Sequence, residues 1–192
     1  MSLPASALRI RTAWTAFLLL CLTLWACSAR TQPVFPELTG HVVDEANILS
    51  PEVELELSRQ SIALEKLTSD QFVVVTVNGL EGMTIKEFGQ SLGNHWRVGQ
   101  SGRVLDSYGH RHKDNGVLLI LAPNQQQARI EVGYGLVSVL SDEKAAEIMS
   151  SVMVPLFAEG KYERGVVSGS DAIINVLRDN HSAASDHRET NL

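Results

Sequence analysis

Two almost entirely apolar runs constrain the fold of this chain more than any other feature of its sequence. Residues 72–77 read Phe-Val-Val-Val-Thr-Val, and residues 116–122 read Gly-Val-Leu-Leu-Ile-Leu-Ala. β-branched residues favour strands, and a strand that is apolar on both faces is typical of a sheet covered by helices on both sides. The sequence therefore predicts two central strands that are buried between helical layers.

Four segments outside these runs carry the signals of amphipathic helices. The first is predicted to begin at Pro51, since proline fits the first helical position. The second begins at a capping box, in which Thr84 and Glu87 each accept a hydrogen bond from the other's backbone N–H. A third is predicted to follow the cap Ser141, and a fourth to cover residues 161–177.

The segment after the second apolar run predicts a β-hairpin. Residues 128–132 alternate between apolar and charged side chains, as expected for a half-buried edge strand. If the turn centres on Gln125, then Leu118 faces Val132 and one face of the hairpin is apolar. We therefore predict an α/β fold: a three-layer α/β/α sandwich around a small mixed β-sheet that includes one antiparallel hairpin.

The same hairpin brings a candidate ligand site to one rim of the sheet. It places the motif Asp114-Asn115-Gly116 beside the bend Gly133-Tyr134-Gly135. Carboxylate and amide oxygens suit a hard cation such as calcium or magnesium, and α/β proteins commonly hold ligands at the rim of the sheet. We therefore predict a cation site at this rim. The same Asp-Asn-Gly motif also forms ordinary turns, so a plain turn stays an alternative.

Three further charged positions have more than one interpretation. Glu131 shares a strand face with Arg129, which predicts a solvated ion pair. Asp44 is either a cap for the loop that follows it or a ligand in that loop. Residues 110–113, His-Arg-His-Lys, either steer an anion such as a phosphate ester toward a metal at the rim or form a solvated loop.

Residues 1–29 have the pattern of an export signal. A pair of arginines precedes an uncharged apolar stretch that is shorter than the ~20 residues needed to cross a bilayer comfortably. An uncleaved signal anchor is the alternative. The sequence Leu24-Trp25-Ala26-Cys27 resembles a bacterial lipobox, so the chain is either lipid-anchored through Cys27 or cleaved near Ala29. Both cases predict a location in the periplasm or cell envelope.

Composition and missing motifs exclude several classes of function. The formal net charge is −6, which argues against a nucleic-acid partner, because such a protein needs a basic surface. Both cysteines, Cys21 and Cys27, lie in the predicted export signal, so the exported part has no disulfide and no thiolate nucleophile. The chain has neither a P-loop nor a nucleophile elbow.

The domain organisation follows from these segments. Residues 30–40 contain two prolines and are predicted to form an extended tether. Residues 41–178 are predicted to form one domain, since they are too few for two ordinary ones. Residues 179–192 are polar and are predicted to form a flexible tail. We expect the exported domain to be monomeric.

Four ordered motifs resemble the TPM domain family. They are Gly-His-Val-Val-Asp-Glu-Ala-Asn-Ile-Leu-Ser-Pro at residues 40–51, the valine-rich strand, Asp-Asn-Gly-Val-Leu-Leu-Ile at residues 114–120, and Arg-Ile-Glu-Val-Gly-Tyr-Gly-Leu at residues 129–136. The resemblance covers about residues 36–178. It implies an α/β/α sandwich outside the cytoplasm that is often tethered to a membrane. Members of this family include thylakoid-lumen proteins of photosystem repair and an accessory protein of an acetylcholine receptor.

The resemblance also implies a function and a set of ligands. Some members of the family are described as calcium binders and others as acid phosphatases. By position, Asp44 and Asp114 would hold the ion, with Glu131 as a further candidate, and the Gly133-Tyr134-Gly135 bend would line the same cleft. Asn115 is a candidate there through its own motif, because its amide oxygen follows the Asp114 carboxylate. The chain departs from the family at Val137, where members commonly carry an acid.

We therefore expect an accessory module that binds calcium, or else magnesium, and docks on a membrane protein complex. The alternative is a metal-dependent acid phosphatase that hydrolyses phosphate monoesters. The module is favoured because the exported part has no cysteine and no serine beside a plausible base.

Overall fold

The computed structural model of this chain describes residues 33–99 and 114–189. Contacts within the chain divide it after Val34, and every element named below belongs to the unit Phe35–Leu192. The predicted export signal, with Cys27, and the basic sequence at residues 110–113 lie outside the described residues.

Within the described part of the chain, four strands form one mixed sheet in the order β1-β2-β3-β4. They are β1 (Val42–Asp44), β2 (Gln71–Thr76), β3 (Gly116–Ala122) and β4 (Gln127–Val132). β1, β2 and β3 run parallel, and β4 runs antiparallel to β3. The two apolar runs are the central strands β2 and β3, as predicted, because a strand with neighbours on both edges and helices on both faces buries nearly every side chain.

Helices cover both faces of this sheet. They are α1 (Pro51–Thr68), α2 (Ile85–Trp96), α3 (Asp142–Ile148), α4 (Val154–Ala158) and α5 (Tyr162–Glu189), with a π-helical segment, Met149–Met153, between α3 and α4. Of the helices in the described residues, none is both long enough and apolar enough to span a membrane.

The core has two halves because side chains alternate along the central strands. Phe72 and Leu119 point to one face, where they pack with α1 and α5. Val73 and Ile120 point to the other face, where they pack with α2. Burying such a side chain stabilises the fold by about 1.5–3 kcal/mol. The arrangement of helix, sheet and helix confirms the predicted three-layer α/β/α sandwich.

The capping box of α2 forms as predicted. The backbone N–H of Glu87 donates to the hydroxyl of Thr84 at 3.2 Å, and the backbone N–H of Thr84 donates to the Glu87 carboxylate at 3.0 Å. The hydrogen bonds from the backbone and the hydroxyl of Thr84 stabilise the charged carboxylate and lower the pKa of Glu87.

The predicted register of the hairpin is wrong by one residue. Val132 pairs with Val117, and Leu118 pairs with Glu131. The connection has four residues, Pro123 to Gln126, because Pro123–Gln125 form a 3₁₀ turn and Gln126 then adopts a left-handed conformation with φ of 53°. An odd-numbered turn centred on Gln125 therefore does not form. As a result, Glu131 lies on the α2 face of the sheet.

Two boundary segments differ from their predictions. The helix predicted to end at residue 177 continues to Glu189, into the segment predicted to be a flexible tail. Residues 178–189 contain no glycine or proline that would stop it. In the predicted tether, Phe35 packs edge-on against Phe88 with ring centroids 5.5 Å apart, and the carbonyl of Pro36 accepts a hydrogen bond from the indole N–H of Trp96. The end of the tether is therefore part of the packed unit.

Candidate functional site

The predicted meeting of Asp114 with the glycine bend is present at the rim where β3 begins. The backbone N–H of Gly135 donates to the Asp114 carbonyl at 2.8 Å, and that of Gly133 donates to the Gly116 carbonyl at 2.7 Å. The backbone N–H of Tyr134 is 3.3 Å from the Asp114 carboxylate. The pairing of β3 with β4 continues directly into these contacts, so the hairpin itself positions the rim.

Glycine is required in this bend because the backbone of Asp114 approaches so closely. A Cβ atom on Gly133 would lie 2.5 Å from the Asp114 carbonyl oxygen, and one on Gly135 would lie 2.9 Å from it. Real Cβ atoms essentially never approach another heavy atom that closely. The two glycines therefore let the bend pack closely against the backbone of Asp114, and the carboxylate of Asp114 lies beside the bend.

Asp114 and Glu131 line one cleft of about 280 Å³, which we call the acidic cleft. The amide side chains of Gln90 and Asn94, both on α2, line it as well. Glu131 reaches the cleft because the observed register turns it toward α2. Four oxygen-bearing side chains from three separate segments thus surround one space, which is the type of donor set that calcium and magnesium prefer.

Glu131 also pairs with Arg129, as predicted, although both side chains are half-buried and not fully solvated. Its Oε2 accepts a hydrogen bond from Nε of Arg129 at 2.5 Å. The pair offsets part of the negative charge of the cleft. In the described residues there is no cluster of three or more histidine, cysteine, aspartate or glutamate side chains that could hold a metal. A cation in the acidic cleft would therefore rely on two carboxylates, the two amides and water.

Asn115 points away from this cleft. Its side-chain amide donates to the Ser69 carbonyl at 2.5 Å and to the Asp70 carboxylate at 3.2 Å. The residue is 2% exposed, and its Oδ1 has no hydrogen-bond partner. It is absent from the residues that line the acidic cleft. Asn115 therefore connects the start of β3 to the segment between α1 and β2 by hydrogen bonds. Contrary to the prediction, it does not line the ligand cleft.

Asp44 does not join Asp114, so the predicted common site is wrong. Asp44 ends β1 and pairs with Thr76, which in turn pairs with Leu121. Asp114 precedes the start of β3, seven residues before Leu121, or roughly 23 Å along a strand. The two aspartates lie at opposite ends of the sheet because β1 and β3 run in the same direction. Asp44 is the last residue of β1, whereas Asp114 comes before the first residue of β3.

At its own end of the sheet, Asp44 holds the loop that leads into α1. Its carboxylate accepts hydrogen bonds from the backbone N–H of Leu49 at 2.9 Å, from that of Ile48 at 3.3 Å, and from the Thr76 hydroxyl. Of its two predicted roles, the cap for the following loop is the one that forms.

Tyr134 takes part in the rim through its backbone. Its side chain is 88% exposed, and Val137 nearby is 42% exposed. An exposed aromatic ring held on a short 3₁₀ turn, Tyr134–Leu136, is a surface feature that can contact a partner.

Two residues that line the acidic cleft, Gln90 and Asn94, are not among the site residues predicted from the sequence. A sequence signal for them does exist, because each follows a glycine on α2. A Cβ atom on Gly89 would lie 2.7 Å from Ile120, and one on Gly93 would lie 3.2 Å from Leu118. Two glycines four residues apart on one helix indicate a close approach to the sheet. Polar residues beside such a pair are candidates to face the strand end.

The chain was also compared with known proteins. A family model described as TPM domain, whose name includes the word phosphatase, matches residues 42–176. No curated protein is similar enough to the chain to count as a match.

Three solved structures from bacteria have a similar fold. The N-terminal domain of a protein from P. gingivalis is 28% identical, with a TM-score of 0.67 over 79% of this chain and 96% of that one. The BA42 protein of Bizionia argentinensis is 19% identical, with a TM-score of 0.54 over 68% of this chain and 82% of that one. The N-terminal domain of the cg2496 protein of Corynebacterium glutamicum is 10% identical, with a TM-score of 0.53 over 76% and 84%. The last two show the fold alone. Two of these structures are of N-terminal domains in solution. The unit Phe35–Leu192 of this chain has its own hydrophobic core on both faces of the sheet, so we expect it to fold by itself.

Proposed function

Because the chain belongs to the TPM domain family, we propose that it is an exported module that binds a divalent cation in the acidic cleft. Calcium is the first choice and magnesium the second, since calcium accepts a larger and less regular set of oxygen ligands. The module acts as an accessory protein on a membrane protein complex in the periplasm or cell envelope, and a lipid on Cys27 would tether it there.

The observation that carries this proposal is the composition of the acidic cleft. Asp114 and Glu131 bring two carboxylates to one space, and Gln90 and Asn94 add two amide oxygens. Hard cations bind to such oxygen donors, and water completes their coordination. Asp44, at the far end of the sheet, has no part in it.

The state of the Asp114 carboxylate supports the same conclusion. In the described residues it accepts one long hydrogen bond, from the backbone of Tyr134 at 3.3 Å. A carboxylate with few donors around it keeps lone pairs for a cation. The glycine bend holds the backbone of Asp114 through the hydrogen bond from Gly135, so less backbone entropy is lost when the cation binds.

Two features support the role as an accessory module. The first is the predicted export signal, which would carry the domain out of the cytoplasm. The exposed ring of Tyr134 and the side chain of Val137 lie on the bend that carries the Asp114 contacts. Aromatic residues are enriched at protein interfaces, so a partner that covers this rim would contact the bend and the bound cation together.

A phosphatase is the second candidate, and the name of the matching family model favours it. A bound cation would then polarise a phosphoryl oxygen. The described residues that line the acidic cleft include no hydroxyl, thiol or imidazole that could act as a nucleophile or general acid. We place the binding module first for this reason.

The deciding experiment measures calcium binding to residues 35–192 by calorimetry and by thermal unfolding. We expect calcium at about 100 times its dissociation constant to stabilise the folded state by about 2.7 kcal/mol. Asp114→Asn should weaken binding at least tenfold, because it removes a charged ligand. Asp171→Asn is the matched control, since Asp171 is exposed on α5 and does not line the cleft. It should bind calcium as the wild type does.

The same proteins separate the two candidate functions. Binding that depends on Asp114, without turnover of an aryl phosphate, supports the module. Turnover that is lost in Asp114→Asn and kept in Asp171→Asn supports the phosphatase. If neither calcium nor magnesium shifts the unfolding of the wild type, the proposed cation site is wrong.

A further inference from the structure

A second and larger cleft lies at the opposite end of β3 and β4 from the acidic cleft. Its volume is about 670 Å³. Leu121 at the end of β3, Ala128 at the start of β4 and the turn between them form one wall. Met149, Phe157 and other residues of the helical segment from the π-helix to the start of α5 form the other. We call it the apolar cleft.

The lining of the apolar cleft is uncharged. Most of it is aliphatic, thioether or aromatic, and none of the described residues that line it is Asp, Glu, Lys, Arg or His. The rings of Phe157 and Tyr162 lie 5.8 Å apart between centroids. The polar side chains are those of Gln126, Gln127 and Tyr162, and none of the three forms a side-chain hydrogen bond with another described residue. Their amides and phenol are free to bond a ligand.

The helical wall of the apolar cleft packs closely against α5. A Cβ atom on Gly165 would lie 2.4 Å from the ring of Phe157, and one on Gly169 would lie 2.4 Å from the sulfur of Met153. These glycines let both large side chains seat against α5. The π-helical turn precedes Pro155, which has no N–H to continue a regular helix. Such turns occur frequently at functional sites.

We propose that the apolar cleft binds an uncharged small molecule with an aromatic ring system and one hydrogen-bonding group. The volume lies within the range of about 300–1,000 Å³ that is typical of small-molecule sites. An ionic ligand would lose its hydration in this cleft without meeting an opposite charge, which costs free energy. A neutral ligand does not have this cost. Phe157, Tyr162 and Met149 favour a ring, because aromatic side chains and thioethers both pack well against aromatic rings. This site is independent of the acidic cleft and of the proposed cation.

The test uses residues 35–192 and the neutral fluorescent probe N-phenyl-1-naphthylamine. We expect saturable enhancement of the probe's fluorescence with the wild-type unit. Ala158→Trp should raise the dissociation constant at least tenfold, because Ala158 lines the apolar cleft and is exposed, so a large side chain can enter the cleft without disturbing the core. Ala146→Trp is the matched control. Ala146 is exposed on α3 and does not line the cleft, so this variant should bind the probe as the wild type does.

A charged analogue tests the chemical class of the ligand. 8-Anilinonaphthalene-1-sulfonate has a similar ring system with an added negative charge, and we expect it to bind at least tenfold more weakly than the neutral probe. Equal binding of the two probes would overturn the assignment of a neutral ligand. Absence of saturable binding, or equal weakening by Ala158→Trp and Ala146→Trp, would overturn the site itself. Dimerisation that Ala158→Trp abolishes would show that a second copy of the chain is the occupant and would likewise overturn the proposal.

Discussion

The two ends of the sheet each carry an aspartate from a motif that resembles the family, and the two aspartates have different surroundings. At one end, the Asp44 carboxylate accepts hydrogen bonds from two backbone N–H groups and a hydroxyl. At the other, the Asp114 carboxylate accepts one long hydrogen bond from the residues that the structure describes and faces a cleft with a second acid. A carboxylate surrounded by donors stabilises its own loop, whereas one with few donors is available to a ligand. The number of donors around each aspartate therefore separates a structural residue from a candidate binding residue.

The largest expected effect is on stability, and it tests whether the Asp44 carboxylate has a structural role. Asp44→Ala removes a charged acceptor of three hydrogen bonds, and hydrogen bonds to charged groups contribute about 1.5–3 kcal/mol each. Since such contributions are not additive, we expect the free energy of unfolding to fall by about 3 kcal/mol, measured by urea denaturation of residues 35–192. The affinity of the folded variant for calcium should stay unchanged.

The neighbouring glutamate provides the control for Asp44. Glu45 is exposed, and its carboxylate has no hydrogen bond among the described residues. Glu45→Ala should change the free energy of unfolding by no more than about 0.5 kcal/mol. If Asp44→Ala instead leaves stability intact and weakens calcium binding, the division of roles between the two aspartates is wrong.

A smaller effect is expected on the calcium affinity of the acidic cleft. Arg129 pairs with Glu131 and competes with a bound cation for the same carboxylate. Removing its charge with Arg129→Gln should tighten calcium binding by roughly fivefold, since partly exposed ion pairs contribute up to about 1 kcal/mol. Calorimetry at low salt is the measurement, because salt screens charge interactions.

A surface arginine provides the control for this change. Arg59 lies 3.9 Å from Glu56 on α1, outside the acidic cleft. Arg59→Gln should leave calcium affinity as it is in the wild type. Weaker binding after Arg129→Gln would mean that the cation does not use the Glu131 carboxylate.

The fold was predictable because its strongest signals are local. The apolar runs of β2 and β3 and the capping box of Thr84 and Glu87 each encode one element, and the layers follow from covering a buried sheet on both faces. The failures concern features that local patterns do not encode. A left-handed residue at Gln126 shifted the register of the hairpin by one, and a helix without a stop signal after residue 177 continued to Glu189.

The candidate site was predictable only in part, for a topological reason. The hairpin joins Asp114 to the glycine bend within a short stretch of chain, so the turn fixes their contact. Whether Asp44 lies near Asp114 depends on the direction of β1 relative to β3. The local sequence around Asp44 does not show that direction. Gln90 and Asn94 reach the acidic cleft through the packing of α2 on the sheet, which depends on the glycines that precede them.

The smallest expected effect concerns a third carboxylate, that of Glu87. Like the Asp44 carboxylate, it accepts hydrogen bonds from a backbone N–H and a hydroxyl, but Glu87 is exposed. Hydrogen bonds from the backbone and hydroxyl of Thr84 lower the pKa of Glu87 below its ordinary value of 4.5. A lowered pKa in the folded state stabilises the protein above pH 4.5, and this contribution is lost as the pH falls through the folded pKa. Titration of the Glu87 carboxyl resonance by NMR should give a pKa below 4.5 in the wild type and a partly raised one in Thr84→Ala, since the backbone N–H of residue 84 remains. An identical pKa in both proteins would contradict the role of the Thr84 hydroxyl.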